Sequence, residues 1–139
     1  MRESSDESGT PTTWHGEEGE PLVVLAHDWN GRLPWIDELA ARLAAEGYRV
    51  AVPDLFGGRT TTDDDEAGEL LRERLDDLPG ALHLVAEAIG EARALGSPSA
   101  GVVGFSMGAT IALAYAAQGS LDAVVAYYGT TRGTVTPRV

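Results

Sequence analysis

The stretch AGVVGFSMGATIALAYAAQ, residues 100–118, changes character at a single serine. Before it, AGVVGF is a short apolar run of the kind that forms a strand covered on both faces. After it, Met107 to Gln118 is rich in alanine, which favours a helix. Gly104-Phe105-Ser106-Met107-Gly108 is thus a G-x-S-x-G sequence between a predicted strand and a predicted helix. A turn that sharp needs small flanking residues, hence a glycine two positions either side of the serine. It holds the hydroxyl out at the end of the sheet, as a nucleophile elbow does. The helix starting at Met107 aims free N–H groups and its positive dipole end at that hydroxyl. Ser106 is the candidate nucleophile, and the Met107 N–H is a candidate donor to a developing oxyanion. The bland alternative is a glycine-rich turn with no catalytic use.

The same stretch raises a membrane question, because residues 94–121 carry no charge. That length could span a bilayer. Ser97, Pro98, Ser99, Ser106, Gln118 and several glycines interrupt it, and a buried strand, tight turn and buried helix account for it better.

Outward from the serine, strands and helices alternate. Pro21 to Ala26 (PLVVLA) is a continuous apolar run, the first strand, followed by the loop His27–Gly31. Pro34 opens a helix whose Ile36, Leu39, Ala40 and Leu43 share one face, and Gly47 stops it. Tyr48 to Val52 is the second strand, ended by Pro53 and Asp54. Residues 57–66 read as a polar, acidic loop. A helix over about 66–76 carries Leu71 and Leu75 one turn apart. Pro79 suits a first helical position, and Leu82, Val85, Ala86 and Ile89 mark a helix ending near Gly96. Residues 100–105 are the third strand and 122–128 (DAVVAYY) the fourth. This order predicts an α/β fold, a doubly wound and mostly parallel sheet with helices on both faces. Residues 1–18 are expected to be a flexible acidic tail, with Trp14 and His15 able to begin a short strand. Residues 19–129 hold the domain, and 130–139 an irregular tail. In such a sheet the crevice lies outside the strand C-termini, where strand order reverses. Strands 21–26 and 100–105 should be neighbours there. A second oxyanion donor is then expected from the loop His27–Gly31, at the Trp29 N–H.

Composition narrows the function. The chain has 139 residues, 43% of them hydrophobic, so one domain with a real core fits and wholesale disorder does not. With no cysteine there is no disulfide, thiolate zinc site or cysteine nucleophile. Ten basic residues, all arginine, face 22 acidic ones, a net charge of −12. Nucleic acid and anionic membranes are therefore not expected partners. The N-terminus MRESSDESGT has neither a basic nor an apolar leader region, and a cytoplasmic location is expected. No dinucleotide fingerprint or P-loop lysine occurs, so no cofactor is expected. The acidic run Asp63–Glu66 lacks the spacing of a calcium loop and reads as a solvated loop, so no metal is expected. Of the histidines, His27 sits nearest the crevice but reads as shaping its loop. His83 lies on a remote helix and His15 precedes the first confident strand. Asp54 reads as a brace at the end of the second strand.

The stretches LAHDWNGRLPWIDELAARLAAEGYRVAVPDLFGG, GVVGFSMG and DAVVAYYG together resemble the dienelactone hydrolase family, from about residue 21 to residue 129. The resemblance implies an α/β-hydrolase sheet and hydrolysis of an ester or lactone through an acyl-enzyme. Ser106 matches the nucleophile position, commonly cysteine in that family. Trp29 and Met107 match the oxyanion-hole positions. Asp28 matches an acidic residue near the nucleophile, and Arg59 lies close to a substrate-carboxylate arginine. The family's acid and histidine follow the fourth strand, whereas no Asp, Glu or His occurs here after Asp122. The fold is therefore expected to be truncated after about the fourth parallel strand, and the isolated chain to be a weak or inactive hydrolase. The competing expectation is a hydrolase-fold module that binds a small ligand or a protein partner without catalysis. The fourth strand is apolar on both faces and would form an open sheet edge, so self-association through residues 122–128 is expected.

Overall fold

The computed structural model describes residues 12–118 and 120–128. A five-stranded sheet carries four helices: β1 Thr12–His15, β2 Leu22–Ala26, α1 Pro34–Ala45, β3 Arg49–Pro53, α2 Asp64–Asp76, α3 Leu78–Ala94, β4 Ala100–Phe105, α4 Met107–Ala116 and β5 Ala123–Tyr127. Strand order is β1-β3-β2-β4-β5. β3, β2, β4 and β5 run parallel, and β1 pairs antiparallel with β3.

The chain reverses direction across the sheet at β2. It leaves β2 through α1 to β3 on one side, then returns through α2 and α3 to β4 on the other. The helices accordingly lie on both faces. α1 covers one face, where Ile36 and Ala40 pack on Leu25, Val50 and Val52. α3 and α4 cover the other, where Val85, Ala88, Ile89, Ile111 and Ala112 pack on Val24, Ala51 and Val102. β4 shows the alternation behind this: Ala100, Val102 and Gly104 are buried, while Val103 and Phe105 turn to the α1 side. α4 is apolar on nearly every side because helix and sheet enclose it. Among the described residues no helix is long and apolar enough to cross a membrane.

Two expectations need correction. Within the tail expected over residues 1–18, Thr12–His15 form β1, which takes in the short strand expected at Trp14 and His15 and starts two residues earlier. Four half-buried residues at an edge show no alternation in sequence, and their order comes from distant partners. The Arg49 guanidinium lies 4.6 Å from the Trp14 ring centroid. Thr13 Oγ1 donates to Asp37 Oδ1 at 3.2 Å, and His15 Nε2 meets the same oxygen at 3.3 Å. The acidic run Asp63–Glu66 is not a loop but the start of α2. Asp63 is the cap, its carboxylate accepting from the Glu66 N–H at 2.9 Å. The expected tail 130–139 lies outside the described residues.

Candidate active site

The C-terminal ends of β2 and β4 meet. Their register pairs Ala26 with Gly104, which places Asp28 and Ser106 two residues beyond the same rung. Ser106 is the single residue between β4 and α4, with φ 55° and ψ −109°. A left-handed φ on a residue with a side chain is held only by its surroundings. Here the Ser106 N–H donates to the Tyr127 carbonyl at 2.7 Å, and the Ser106 carbonyl accepts from the Thr110 N–H at 3.1 Å. The side chain is exposed, while Met107 is buried.

Both flanking glycines are obligatory for space. A Cβ on Gly104 would strike the Gly108 carbonyl, and one on Gly108 would strike the Ala26 carbonyl. The second collision shows how tightly the start of α4 lies against the end of β2. The first turn of α4 therefore borders the loop that carries Asp28 and Trp29.

That loop is held from both sides. Asp28 Oδ1 accepts from the Asn30 N–H at 3.0 Å, and the Asp28 carbonyl accepts from Gly31 at 3.2 Å. Asn30 Nδ2 donates to the Thr61 carbonyl at 2.7 Å, and the Thr61 N–H returns a bond to the Asn30 carbonyl at 3.0 Å. Gly31, at φ +91°, lies so close to the Arg59 carbonyl that a side chain has no room. The loops after β2 and β3 are thus closed on each other.

His27 is the buried tie between them. Its Nε2 accepts from the Leu55 N–H at 2.9 Å, which leaves the proton on Nδ1 to be donated to the Asp28 carbonyl at 2.8 Å. Its ring meets Phe56 edge-on at 5.0 Å. Burial pushes its pKa below the ordinary histidine value, against the pull of the Asp28 carbonyl, Asp54 and Asp28. Both ring nitrogens are committed to backbone, so His27 is a structural histidine in its neutral form, matching its expected loop-shaping role. Asp54 braces the second loop as expected, accepting from the Phe56 N–H at 3.0 Å.

The other candidates are placed differently. Arg59 does not turn its charge to Ser106. Its guanidinium pairs with Glu73 at 2.7 Å and its Nε donates to the Phe56 carbonyl at 3.3 Å. It lines a cleft of about 290 Å³ floored by Leu55, Phe56 and Leu70, in which Ser106 has no part. His15 lies on β1, three strands from β4, and His83 is exposed on α3 beside Glu87 at 3.2 Å. Among the described residues no group of histidines and carboxylates is arranged to hold a metal.

One feature was not read from sequence. Trp35, Phe105 and Tyr127 form an aromatic row at this end of the sheet. Only the cross-strand register between β4 and β5 brings two of them together.

A mostly parallel sheet wound in both directions, with a lone serine between a central strand and the helix that follows, is the pattern of an α/β-hydrolase fold. Residues 10–138 match the model of the dienelactone hydrolase family, and the chain belongs to that family. It is 31% identical over 116 residues to a carboxymethylenebutenolidase of Rhodococcus opacus, covering 80% of this chain and 44% of the relative. It is 30% identical over 120 residues to Protein usf of Aquifex pyrophilus, covering 80% of this chain and 52% of that one. The solved structure of m3DLH superposes with a TM-score of 0.69 at 28% identity, over 83% of this chain and 50% of its own. The chain thus spans about half the length of the curated relatives it matches.

Proposed function

We propose that Ser106 is the nucleophile of an ester or lactone hydrolase. The observation that carries this reading is its backbone: φ 55° on a one-residue turn, between two glycines that no other residue can replace. In the proposed reaction the Ser106 oxygen bonds to the substrate carbonyl carbon and gives up its proton. The carbonyl oxygen becomes an oxyanion held by the N–H groups of Met107 and Trp29. The Met107 N–H opens α4, where no earlier turn can use it. Expulsion of the alkoxide, which takes up a proton, leaves an acyl-serine that water then hydrolyses. Membership of the family and the relative named carboxymethylenebutenolidase support the ester or lactone class. Asp28 sits beside the serine in this reading and orients substrate. Arg59 would receive a substrate carboxylate after releasing Glu73, an exposed pair that costs little to open.

A serine hydroxyl needs a base. His27 is unfit because both its nitrogens are bonded, and His15 and His83 lie elsewhere. Loss of a triad base typically costs 10⁴–10⁶ in kcat, so very low esterase activity is expected of the 139-residue chain. The committed state of His27 also favours the second reading, a hydrolase fold that binds without turnover.

Intact mass after prolonged fluorophosphonate treatment tests the nucleophile. Slow labelling at one site, lost in Ser106→Ala, is expected. Absence of labelling overturns the nucleophile in this chain. The binding reading then predicts a ligand that raises Tm equally in wild type and Ser106→Ala. The exposed, uncharged β5 supports a further proposal, that copies of the chain pair along residues 122–128. A single monomeric mass by light scattering at high concentration would rule it out.

A further inference from the structure

We propose that His27 is a positioning residue for the reaction at Ser106: by holding the Asp28 carbonyl it sets the direction in which the Trp29 N–H faces. The oxyanion role of that N–H rests on the reading of Ser106 given above; the clamp on the peptide group does not.

The peptide joining Asp28 to Trp29 is planar and trans, so its carbonyl and its N–H point in opposite directions. Whatever holds the carbonyl therefore aims the N–H. Two donors hold it, His27 Nδ1 at 2.8 Å and the Gly31 N–H at 3.2 Å. The Gly31 bond arises within the turn and moves with it. The His27 ring is fixed from outside the turn. It is fully buried, meets Phe56 edge-on, and its Nε2 accepts from the Leu55 N–H at 2.9 Å. The ring thus refers the Asp28–Trp29 peptide to the end of β3.

The next N–H groups of the turn are spent inside it. That of Asn30 goes to Asp28 Oδ1 at 3.0 Å, and that of Gly31 to the Asp28 carbonyl. Among the described residues the Trp29 N–H meets no acceptor. The start of α4 adjoins this segment, since a Cβ on Gly108 would strike the carbonyls of Ala26 and His27. An N–H stabilises an oxyanion best when it is already aimed before charge develops. A neutral imidazole suits that task because one rigid ring carries a donor and an acceptor, and so spans two backbone groups at once.

The test separates the two bonds of the ring. In His27→Asn the amide nitrogen can stand in for Nδ1 and donate to the Asp28 carbonyl, while the bond from Leu55 is lost. In His27→Gln the amide oxygen can stand in for Nε2 and accept from Leu55, while Asp28 loses its donor. Both variants lose stability, so each is compared well below its Tm. The rate of fluorophosphonate labelling at Ser106 is expected to fall about 10- to 100-fold in His27→Gln, less than for removal of a whole oxyanion donor. His27→Asn is expected to recover most of that fall. The Trp29 amide nitrogen shift, which responds to hydrogen bonding at the Asp28 carbonyl, should move in His27→Gln and return toward the wild-type value in His27→Asn. Equal losses in the two variants, or losses ranked by their Tm, overturn the positioning role and leave a structural brace. If a variant does not fold, the wild-type ring decides. A proton–nitrogen correlation spectrum is expected to place its proton on Nδ1, and a proton on Nε2 overturns the proposal. Absence of labelling in all three proteins would instead remove the nucleophile, and the Trp29 shift then upholds or overturns the clamp by itself.

Discussion

Two strand-to-helix junctions leave the same end of this sheet and differ in almost every respect. From β4 to α4 the chain spends one residue, Ser106. From β3 to α2 it spends residues 54–63. At the first, Gly104 and Gly108 are glycines because backbone carbonyls occupy the space a Cβ needs. At the second, Gly57 and Gly58 are glycines because φ is +63° and +91°, and nothing lies within 4 Å of an added Cβ. The tight junction fixes one atom by exclusion. The wide junction is an adaptable surface, tied down at a few points by His27, Asp54 and Asn30.

The contrast is open to attack by substitution. Gly108→Ala should be the most damaging change, costing about 3 kcal/mol or more in urea unfolding, since rigid backbone must yield. A cost below about 1 kcal/mol would mean that α4 does not lie as close to β2 as described. His27→Ala comes next at about 3 kcal/mol, from a cavity and a Leu55 N–H left without its acceptor. His27 also gives a pH signature. Its folded pKa is lowered, so as pH falls below about 6.5 the unfolded chain takes up a proton that the folded chain refuses. Its stabilising share is complete above that pH and declines below it. Unfolding free energy should fall from pH 7.5 to 5.5, and fall less in His27→Gln. An equal fall in both would show that His27 accepts the proton without strain.

Gly57→Ala should cost only about 1 kcal/mol, the price of a left-handed φ with open space around it. If it cost as much as Gly108→Ala, the two junctions would not differ in kind. Asp63→Ala should also cost about 1 kcal/mol, by loss of the α2 cap. Arg59→Ala should change stability least, within about 0.5 kcal/mol. In the proposed function it should still weaken binding of a carboxylate-bearing ligand, read by titration.

The sequence made the central part of this picture legible for a physical reason. Runs such as PLVVLA and AGVVGF, and the helical spacing of Ile36, Leu39, Ala40 and Leu43, are local patterns. So is the G-x-S-x-G at the serine, whose two glycines announce a close approach. What it hid depends on long-range pairing. β1 is stabilised by Arg49 and Asp37, residues far along the chain. The state of His27 depends on an N–H contributed by Leu55. Arg59 shows its charge turned to Glu73 only once α2 folds beside it. The cap at Asp63 was within reach, since an acidic residue three positions before Glu66 is a common helix start.

The bond from the Ser106 N–H to the Tyr127 carbonyl fastens the serine to the outermost strand. The residue after it, Tyr128, is the other non-glycine with a left-handed φ among the described residues, at 59°. If β5 lifts from β4, the restraint on Ser106 goes with it and the turn can relax. The serine amide is therefore a reporter of strand detachment rather than of helix fraying. In deuterium exchange it should lose protection in step with the amides of β5, while the buried second turn of α4 holds its protons longer.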